Sequence, residues 1–137
     1  MGGFEPSDFK DAMGRFASGV TVITTRTPEG AHHGMTASAF SSLSLEPPLI
    51  LVCIQTGNAT YDLVKRAGTF AVNFLEGSQT ELSNRFAGGI VNEDGQWAQW
   101  PEDRDKFADL QFQIAEHSGA AFLSGCIAHL DCNLETL

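Results

Sequence analysis

The spacing of apolar residues near the start of the chain predicts an amphipathic helix. Phe9, Ala12, Met13 and Phe16 recur at positions i, i+3, i+4 and i+7, the spacing that places side chains on one face of a helix. A proline followed by acidic residues suits the first turn, and Gly19 is expected to end the helix. The apolar face is therefore a candidate either for the core or for an interface between subunits.

Two further short helices are predicted in the middle of the chain. Asn58 is a suitable N-cap for a helix that extends to about Ala67 and ends at Gly68. The run Ser78–Glu81 has the sequence of a capping box, in which two side chains satisfy free backbone N–H groups at a helix start. The apolar side chains that this third helix is expected to turn towards the core are Leu82 and Phe86.

Six strands are predicted around these helices. Val20–Thr25 is rich in β-branched residues, and Thr27–Gly30 has the Pro and Gly positions of a type I turn, so a second strand is expected to return over Ala31–Phe40. Leu49–Ile54 is continuously apolar, the pattern of a strand buried on both faces. The remaining predicted strands are Thr69–Leu75, one around Phe112 and one over Ala120–Cys132.

This order of elements favours a mainly β fold with helical insertions. Hairpins come early, and the helices lie between strands without the regular alternation of a parallel sheet, so we predict an antiparallel barrel. The length of 137 residues suits a single domain over residues 1–137. From Ala87 to Asp109 the chain is polar and acidic, which predicts a surface excursion or a lid.

Charge and composition exclude several classes of partner. The chain has 8 basic and 17 acidic residues, a formal net charge of −9, which opposes binding to the phosphate backbone of nucleic acid. The longest apolar run, Pro47–Ile54, is too short to span a membrane. Met1–Pro6 has neither the basic nor the apolar part of a secretory signal, so a cytoplasmic location is expected.

The cysteines and histidines predict neither a metal site nor a disulfide framework. Cys53, Cys126 and Cys132 are odd in number and lack CxxC spacing. Cys126 and Cys132 would share one face if both lay on a single strand, where core thiols are the usual explanation. The adjacent His32 and His33 would face opposite sides of a strand, so they do not form a chelating pair.

The most distinctive segment is Thr36–Ser44, which carries five hydroxyl side chains in nine positions, interleaved with small residues. Small residues let a flat ligand approach the backbone, and hydroxyls offer neutral hydrogen bonds to carbonyl, ribityl or phosphate oxygens. A solvent-exposed Ser/Thr-rich edge strand is the alternative. Asn58 and Thr60 add a candidate anion site at a helix start, with an ordinary N-cap as the alternative. Because no familiar catalytic motif occurs, we expect a cofactor to supply the reactive atoms.

Five segments of the chain together carry a resemblance to a known family. They are Phe16–Thr25, Gly34–Leu49, Phe70–Leu75, Arg85–Ala87 and Ala128–Cys132. From about Phe9 to Cys132 the chain resembles the flavin reductase-like family with the FMN-binding split-barrel fold, typified by reductase components of two-component flavin-dependent monooxygenases. The resemblance implies an antiparallel split β-barrel and a homodimer with the flavin between subunits.

The resemblance also implies a flavin site, residue by residue. The isoalloxazine would be lined by Thr36, Ala37 and Ser38, and the ring and ribityl chain by Ser42, Leu43 and Ser44. Cys53 and Gln55 would approach from the next strand, and Asn58 and Thr60 would lie by the phosphate. Arg85 would supply positive charge there, with a solvated residue at a helix end as the alternative. The resemblance implies neither a metal ion nor a catalytic acid or base.

The function implied is hydride transfer from NADH or NADPH to FMN, or alternatively FAD, with reduced flavin passing to a partner monooxygenase. One feature of the family is missing: a Gly-Asp-His segment near the nicotinamide site and a closing strand do not follow Cys132. We therefore expect the 137 residues to belong to a longer chain and to lack the C-terminal strand of the barrel. The alternatives are a flavin carrier or sensor without turnover, and a split barrel that binds pyridoxal phosphate or haem.

Overall fold

The computed structural model describes residues 2–137, which form a mainly β structure with three short helices. The helices are α1 (Pro6–Gly14), α2 (Ala59–Ala67) and α3 (Thr80–Phe86). The strands are β1 (Thr21–Arg26), β2 (His32–Ala37), β3 (Phe40–Ser44), β4 (Leu49–Val52), β5 (Thr69–Phe74), β6 (Gly89–Val91), β7 (Trp97–Gln99), β8 (Phe112–Ile114), β9 (Ala121–Leu123) and β10 (Ala128–Asn133).

A four-stranded antiparallel sheet forms the centre of the structure, in the order β10-β5-β1-β2. The predicted hairpin is confirmed, since Gly30 N donates to Thr27 O at 2.8 Å and β1 pairs with β2. The other strands form three separate antiparallel pairs, β3-β4, β6-β7 and β8-β9. The predicted antiparallel arrangement is thus confirmed, while the described residues form no closed barrel.

Each face of the central sheet carries its own apolar cluster, because neighbouring residues of β1 point to opposite sides. Val22 packs with α3 and with Phe107, a residue of the polar and acidic segment from Ala87 to Asp109, called the acidic segment below. Ile23, on the other side, packs with Ala37 and Val72 and with half-buried residues of β3 and β4. The two clusters fix α3 on one face of the sheet and the β3-β4 hairpin on the other.

Buried Asn73 links three strands. Its amide nitrogen donates to Val22 O at 3.0 Å and lies 3.2 and 3.3 Å from Thr24 Oγ1 and Ala121 O, while its Oδ1 accepts from Leu123 N at 2.8 Å. Because a fully buried amide requires partners for its donors and acceptor, this set of bonds fixes β9 over β1 and β5.

The prediction for the first helix is wrong in its end point. α1 stops at Gly14, five residues before Gly19, and none of its residues is buried. Phe9 and Met13 are 55% and 53% exposed, and Phe16 beyond the helix is 73% exposed. The apolar face therefore lies on the surface of the single chain, so the core does not explain it.

The predicted strand over Ala31–Phe40 is two strands. β2 ends at Ala37 and β3 begins at Phe40, with Ser38 and Ala39 forming the corner between two sheets. Burial of Leu49–Ile54 on both faces is also wrong, because the strand stops at Val52 and Leu51 is 40% exposed. A two-stranded hairpin leaves one face without a packing layer, which an apolar run alone does not reveal.

The second helix is confirmed at both ends, and the third begins differently from the prediction. Asn58 Oδ1 accepts from Thr60 N at 2.8 Å, and Gly68 ends α2 in the left-handed region at φ 69°. The predicted capping box does not form, since α3 has no side-chain cap. In a capping box the Glu81 carboxylate would accept from the backbone N–H of the N-cap residue, but here it pairs with Arg85.

Residues 110–137 contain three strands where the sequence predicted two. The predicted strand over Ala120–Cys132 is divided into β9 and β10 by a turn with Gly125 at φ 82°. Cys126 lies in that turn beside the cluster containing Val22, whereas Cys132 lies on β10 beside the other cluster. The two thiols therefore do not share one strand face. No helix within residues 2–137 has the length and apolarity needed to cross a membrane.

Candidate functional site

The corner between β2 and β3 is where the hydroxyl-rich segment reaches the surface. Ser38 and Ala39 are exposed, and the corner is closed by a bond from Phe40 N to Ser38 O at 2.9 Å. Cys53 N donates to Ala39 O at 2.9 Å, so the exposed Cys53 lies beside the corner. The structure thus places Cys53, just beyond the end of β4, beside the corner of Ser38 and Ala39, as an exposed surface made of small side chains.

Thr36 and Ala37 lie on the same segment but have structural partners. Thr36 Oγ1 donates to Ser83 O at 2.6 Å, which ties β2 to α3. Ala37 is buried, and its carbonyl accepts from Thr21 Oγ1 at 2.6 Å. A ligand at the corner would therefore meet the backbone near Ala37 more readily than its side chain, and would compete with Ser83 for the Thr36 hydroxyl.

Ser42, Leu43 and Ser44 follow on the β3-β4 hairpin. Ser42 is exposed, Leu43 is 63% exposed and Ser44 is half-buried. The strand register shifts between Ser42 and Ser44, so the alternation that would put these two hydroxyls on one face is interrupted by a bulge. The hairpin presents hydroxyl groups and an exposed leucine together on the outside of the chain.

The start of α2 is joined to β2 by a short chain of hydrogen bonds. Asn58 N donates to Gln55 O at 3.2 Å, while Gln55 itself is exposed. Thr60 is buried, and its Oγ1 lies 2.9 Å from His33 Nε2. Both polar groups predicted to lie by a phosphate are thus engaged, Asn58 as an N-cap and Thr60 with His33.

Arg85 is buried and fully engaged within the chain. Its Nε and Nη2 each lie 2.9 Å from Glu81 Oε1, and its Nη1 donates to the carbonyls of Lys106 and Ala108 at 3.3 and 3.1 Å. The guanidinium also stacks on Trp100 at 4.8 Å. The structure therefore places Arg85 as a clamp between α3 and the acidic segment, which is not the solvated helix end that was the alternative expected from the sequence.

The acidic segment is a surface excursion with buried anchors. It contains the β6-β7 hairpin, and Trp100 and Phe107 are buried. Phe107 packs on Gly34 of β2, where a Cβ atom would come within 3.4 Å of its ring. The segment is thereby fixed against the strand that leads to the corner.

Two residues that touch the candidate site were not predicted from the sequence. Ser83 binds Thr36 through its backbone carbonyl, and no side-chain pattern reveals such a contact. His33 binds Thr60, and its position on the face of β2 opposite His32 was the available signal. Burial, reinforced by the positive charge of Lys106, lowers the pKa of His33, so its ring is neutral at pH 7.

Two clefts among the described residues lie elsewhere. One of about 350 Å³ lies beside α3 and contains Gln79 and Asp109, and one of about 550 Å³ lies beside the β1-β2 turn. Neither is lined by a residue predicted to bind flavin. On the single chain the candidate site thus lies outside both clefts, and Ser38, Ser42 and Cys53 are exposed to solvent.

Comparison with known proteins gives consistent similarities. The model of the flavin reductase like domain family matches residues 13–136. The chain is 37% identical over 131 residues to an NADH-dependent flavin reductase from Rhodococcus sp, covering 94% of this chain and 65% of that protein. It is 34% identical over 133 residues to the reductase subunit HsaB of a flavin-dependent monooxygenase from Rhodococcus jostii (strain RHA1), covering 97% and 60%.

A solved structure agrees with these sequence matches. The Streptomyces globisporus C-1027 NADH:FAD oxidoreductase SgcE6, in complex with NAD and FAD fragments, aligns with a TM-score of 0.77 at 31% identity, over 97% of this chain and 73% of that one. The chain therefore belongs to the flavin reductase-like domain family. It spans less than two thirds of the length of the two curated relatives.

Proposed function

We propose that the protein is a flavin reductase that passes a hydride from NADH, or alternatively NADPH, to FMN or FAD and supplies reduced flavin to a monooxygenase. The observation that carries the proposal is the match to the flavin reductase like domain over residues 13–136, with the hydroxyl-rich corner inside it. Relatives named as an NADH-dependent flavin reductase and as a monooxygenase reductase subunit support the donor and the partner class.

The exposed side chains at the corner fit a flavin. Ser38, Ser42, Cys53 and Gln55 are exposed and lie on the corner, on the adjoining hairpin or just beyond it. They are small or neutral, and the hydroxyl and amide groups can both donate and accept, which suits the carbonyl and nitrogen edge of an isoalloxazine ring. Exposed Ala39 leaves room for a flat ring against the backbone. We propose that these residues make the direct contacts.

The remaining predicted residues have supporting roles in this proposal. Thr36 fixes β2 to α3, Ala37 holds the strand against β1, and Asn58 and Thr60 organise the start of α2. Ser44 and Leu43 shape the hairpin surface. Arg85 positions the acidic segment, and its contact with a phosphate stays a prediction.

The chain's own residues bind and orient the flavin, and the bound flavin supplies the hydride-accepting chemistry. Hydride transfer depends on placing donor and acceptor close together. The neutral His33 and the uncharged hydroxyl groups leave the hydrogen-bonding surface unchanged near pH 7.

We also propose that two copies associate and that the sheets belong to a split barrel. The open site and the exposed apolar side chains of a single chain support a dimer, because contiguous apolar surface on a folded protein marks interaction sites. The apolar residues involved are Phe9, Met13 and Phe16 near α1, and Leu43, Leu45 and Leu51 on the β3-β4 hairpin. The antiparallel pairing of all strands supports the barrel family.

The test is a comparison of Ser38→Tyr with Ser124→Tyr. Both serines are exposed, but Ser124 lies in the turn after β9, away from the corner. Quenching of FMN and FAD fluorescence measures binding, and oxidation of NADH and NADPH measures turnover. Ser38→Tyr is expected to lose flavin binding, whereas Ser124→Tyr is expected to retain it. If both variants bind flavin with the affinity of the unsubstituted chain, the corner is not the flavin site.

A further inference from the structure

The cleft beside the β1-β2 turn has a charge opposite to that of the chain as a whole. It has a volume of about 550 Å³ and lies between the turn, the end of α2 and Ser118. Two of the eight basic residues, Arg26 and Arg66, line it, against one carboxylate, Glu29. In a chain with a net charge of −9, this local excess of positive charge is unusual.

The guanidinium of Arg26 is held in place without a carboxylate partner among residues 2–137. Its Nε donates to Gly30 O at 3.3 Å. Glycine at position 30, with φ 94°, and at position 119, with φ 69°, leaves space for this side chain, since a Cβ atom would lie 3.2 Å from Nη2 and 3.4 Å from Cδ respectively. The two Nη atoms have no described hydrogen-bond acceptor, so they are available to a ligand in the cleft.

Arg66 is held only loosely by its partner. Its Nη2 lies 3.6 Å from Glu29 Oε1, and the two side chains are 58% and 72% exposed. Hydrogen bonds from its own backbone N–H and from the Thr27 hydroxyl lower the pKa of Glu29, so this carboxylate is ionised at pH 7. An exposed ion pair of this kind contributes little free energy, and a ligand with more negative charge can replace Glu29.

Hydroxyl groups complete the lining of the cleft. Thr27, Thr69 and Ser118 all contribute to it. Arginine guanidinium groups match the oxygens of a phosphate group in geometry as well as charge. Two arginines from different elements, Arg26 of β1 and Arg66 of α2, suit a ligand with two phosphate groups better than a single small anion.

We propose that this cleft binds a small diphosphate, with Arg26 and Arg66 holding the phosphate oxygens and Glu29 occupying Arg66 when the ligand is absent. The proposal is independent of flavin reduction, because no residue of the corner lines the cleft. Glu29 would compete with the ligand for Arg66. Loss of either arginine is therefore expected to raise the Kd, and loss of Glu29 is expected to lower it.

Isothermal titration calorimetry of the full chain with pyrophosphate tests the proposal. Arg26→Gln and Arg66→Gln are each expected to raise the Kd about tenfold, the effect of losing one charge-assisted contact. Glu29→Gln is expected to lower the Kd several-fold. Lys65→Gln is the matched control, since it removes the same charge one residue from Arg66 but does not line the cleft, and its Kd is expected to stay within about twofold of the original.

Three further ligands identify the chemistry. ADP distinguishes a diphosphate within a nucleotide from the free ion, inorganic phosphate tests whether one phosphate group is sufficient, and citrate tests whether carboxylates substitute. Tighter binding of pyrophosphate or ADP than of phosphate or citrate supports the proposal. Absence of pyrophosphate binding at millimolar concentration, or an equal loss in Lys65→Gln and Arg66→Gln, overturns it.

Discussion

Replacement of Arg85 by glutamine tests whether its side chain holds the acidic segment in place or binds a phosphate group of the flavin. The Arg85 side chain is 9% exposed and donates to two backbone carbonyls of the acidic segment as well as to Glu81. A hydrogen bond that involves a charged group contributes about 1.5–3 kcal/mol. The contribution of Glu81 is smaller because that carboxylate is 59% exposed. We therefore expect Arg85→Gln to lower the free energy of unfolding by about 3 kcal/mol.

Arg104→Gln is the control for that measurement. Arg104 stacks on the same Trp100 ring at 4.8 Å, but it is 45% exposed and its ion pair with Asp109 is 3.6 Å long. An exposed pair of this kind contributes about 0–1 kcal/mol, so this variant is expected to unfold near the midpoint of the unsubstituted chain. Urea denaturation followed by tryptophan fluorescence gives both values.

The same two variants report on flavin recognition. Because every guanidinium nitrogen of Arg85 already has a partner within the chain, we expect Arg85→Gln to preserve the ratio of FMN to riboflavin affinity. Titrations without denaturant give this ratio. A variant of unchanged stability that loses FMN affinity and keeps riboflavin affinity would refute the clamp and identify Arg85 as the phosphate ligand predicted from the sequence.

Three other predictions concern the buried ring nitrogen of His32, the proposed subunit interface at α1 and the surface of the β3-β4 hairpin. The Nδ1 atom of His32 is buried without a partner among the described residues, and burial together with Arg26 lowers the pKa of His32. The unfolded chain therefore takes up this proton first, so stability is expected to fall as the pH drops below about 6.5. His32→Leu should reduce that slope in urea denaturation, and an unchanged slope would assign it to other groups. Phe9→Asp is expected to convert a dimer to a monomer in light scattering, because it places a charge in the apolar face of α1, and a dimer that persists would exclude that face. Leu43→Ser is expected to weaken flavin binding several-fold if the hairpin contacts flavin, and FMN fluorescence quenching that does not change would exclude this contact.

The sequence predicted the first hairpin and α2 well because their signals are local. Thr27–Gly30 has turn residues at fixed offsets, and β-branched residues precede it, so the first hairpin and its pairing follow directly. Asn58 and Gly68 mark the two ends of α2 for the same reason, since caps depend on single residues.

Other features depend on packing that the sequence does not display. The corner at Ser38 divides one predicted strand, because β3 pairs with β4 in a separate sheet instead of continuing β2 along β1. The capping box at Ser78 fails because Glu81 has a buried arginine within reach. The Thr36 hydroxyl donates to the backbone carbonyl of Ser83, and no side-chain pattern predicts such a bond.

The sequence located the exposed hydroxyl groups of the candidate site better than the partners of its buried polar groups. The hydroxyl-rich run does reach the surface at Ser38 and Ser42. The Thr60 hydroxyl, in contrast, is buried against the His33 ring, and the Asn58 side chain caps the N–H of Thr60, so both side chains already have partners within the chain. Spacing along the chain points to the hydroxyl-rich segment, whereas burial decides which polar side chains are left without a partner within the chain.

Anaerobic mixing of the protein with FMN and NADH tests the central claim most directly. A flavin reductase is expected to bleach the visible absorbance of the flavin while one NADH is oxidised for each flavin reduced, at a rate proportional to protein concentration. Ser38→Tyr is expected to abolish that proportionality, and Ser124→Tyr to preserve it. Flavin that stays oxidised at the rate of the protein-free mixture, although its fluorescence shows that it is bound, would contradict reductase activity in this chain.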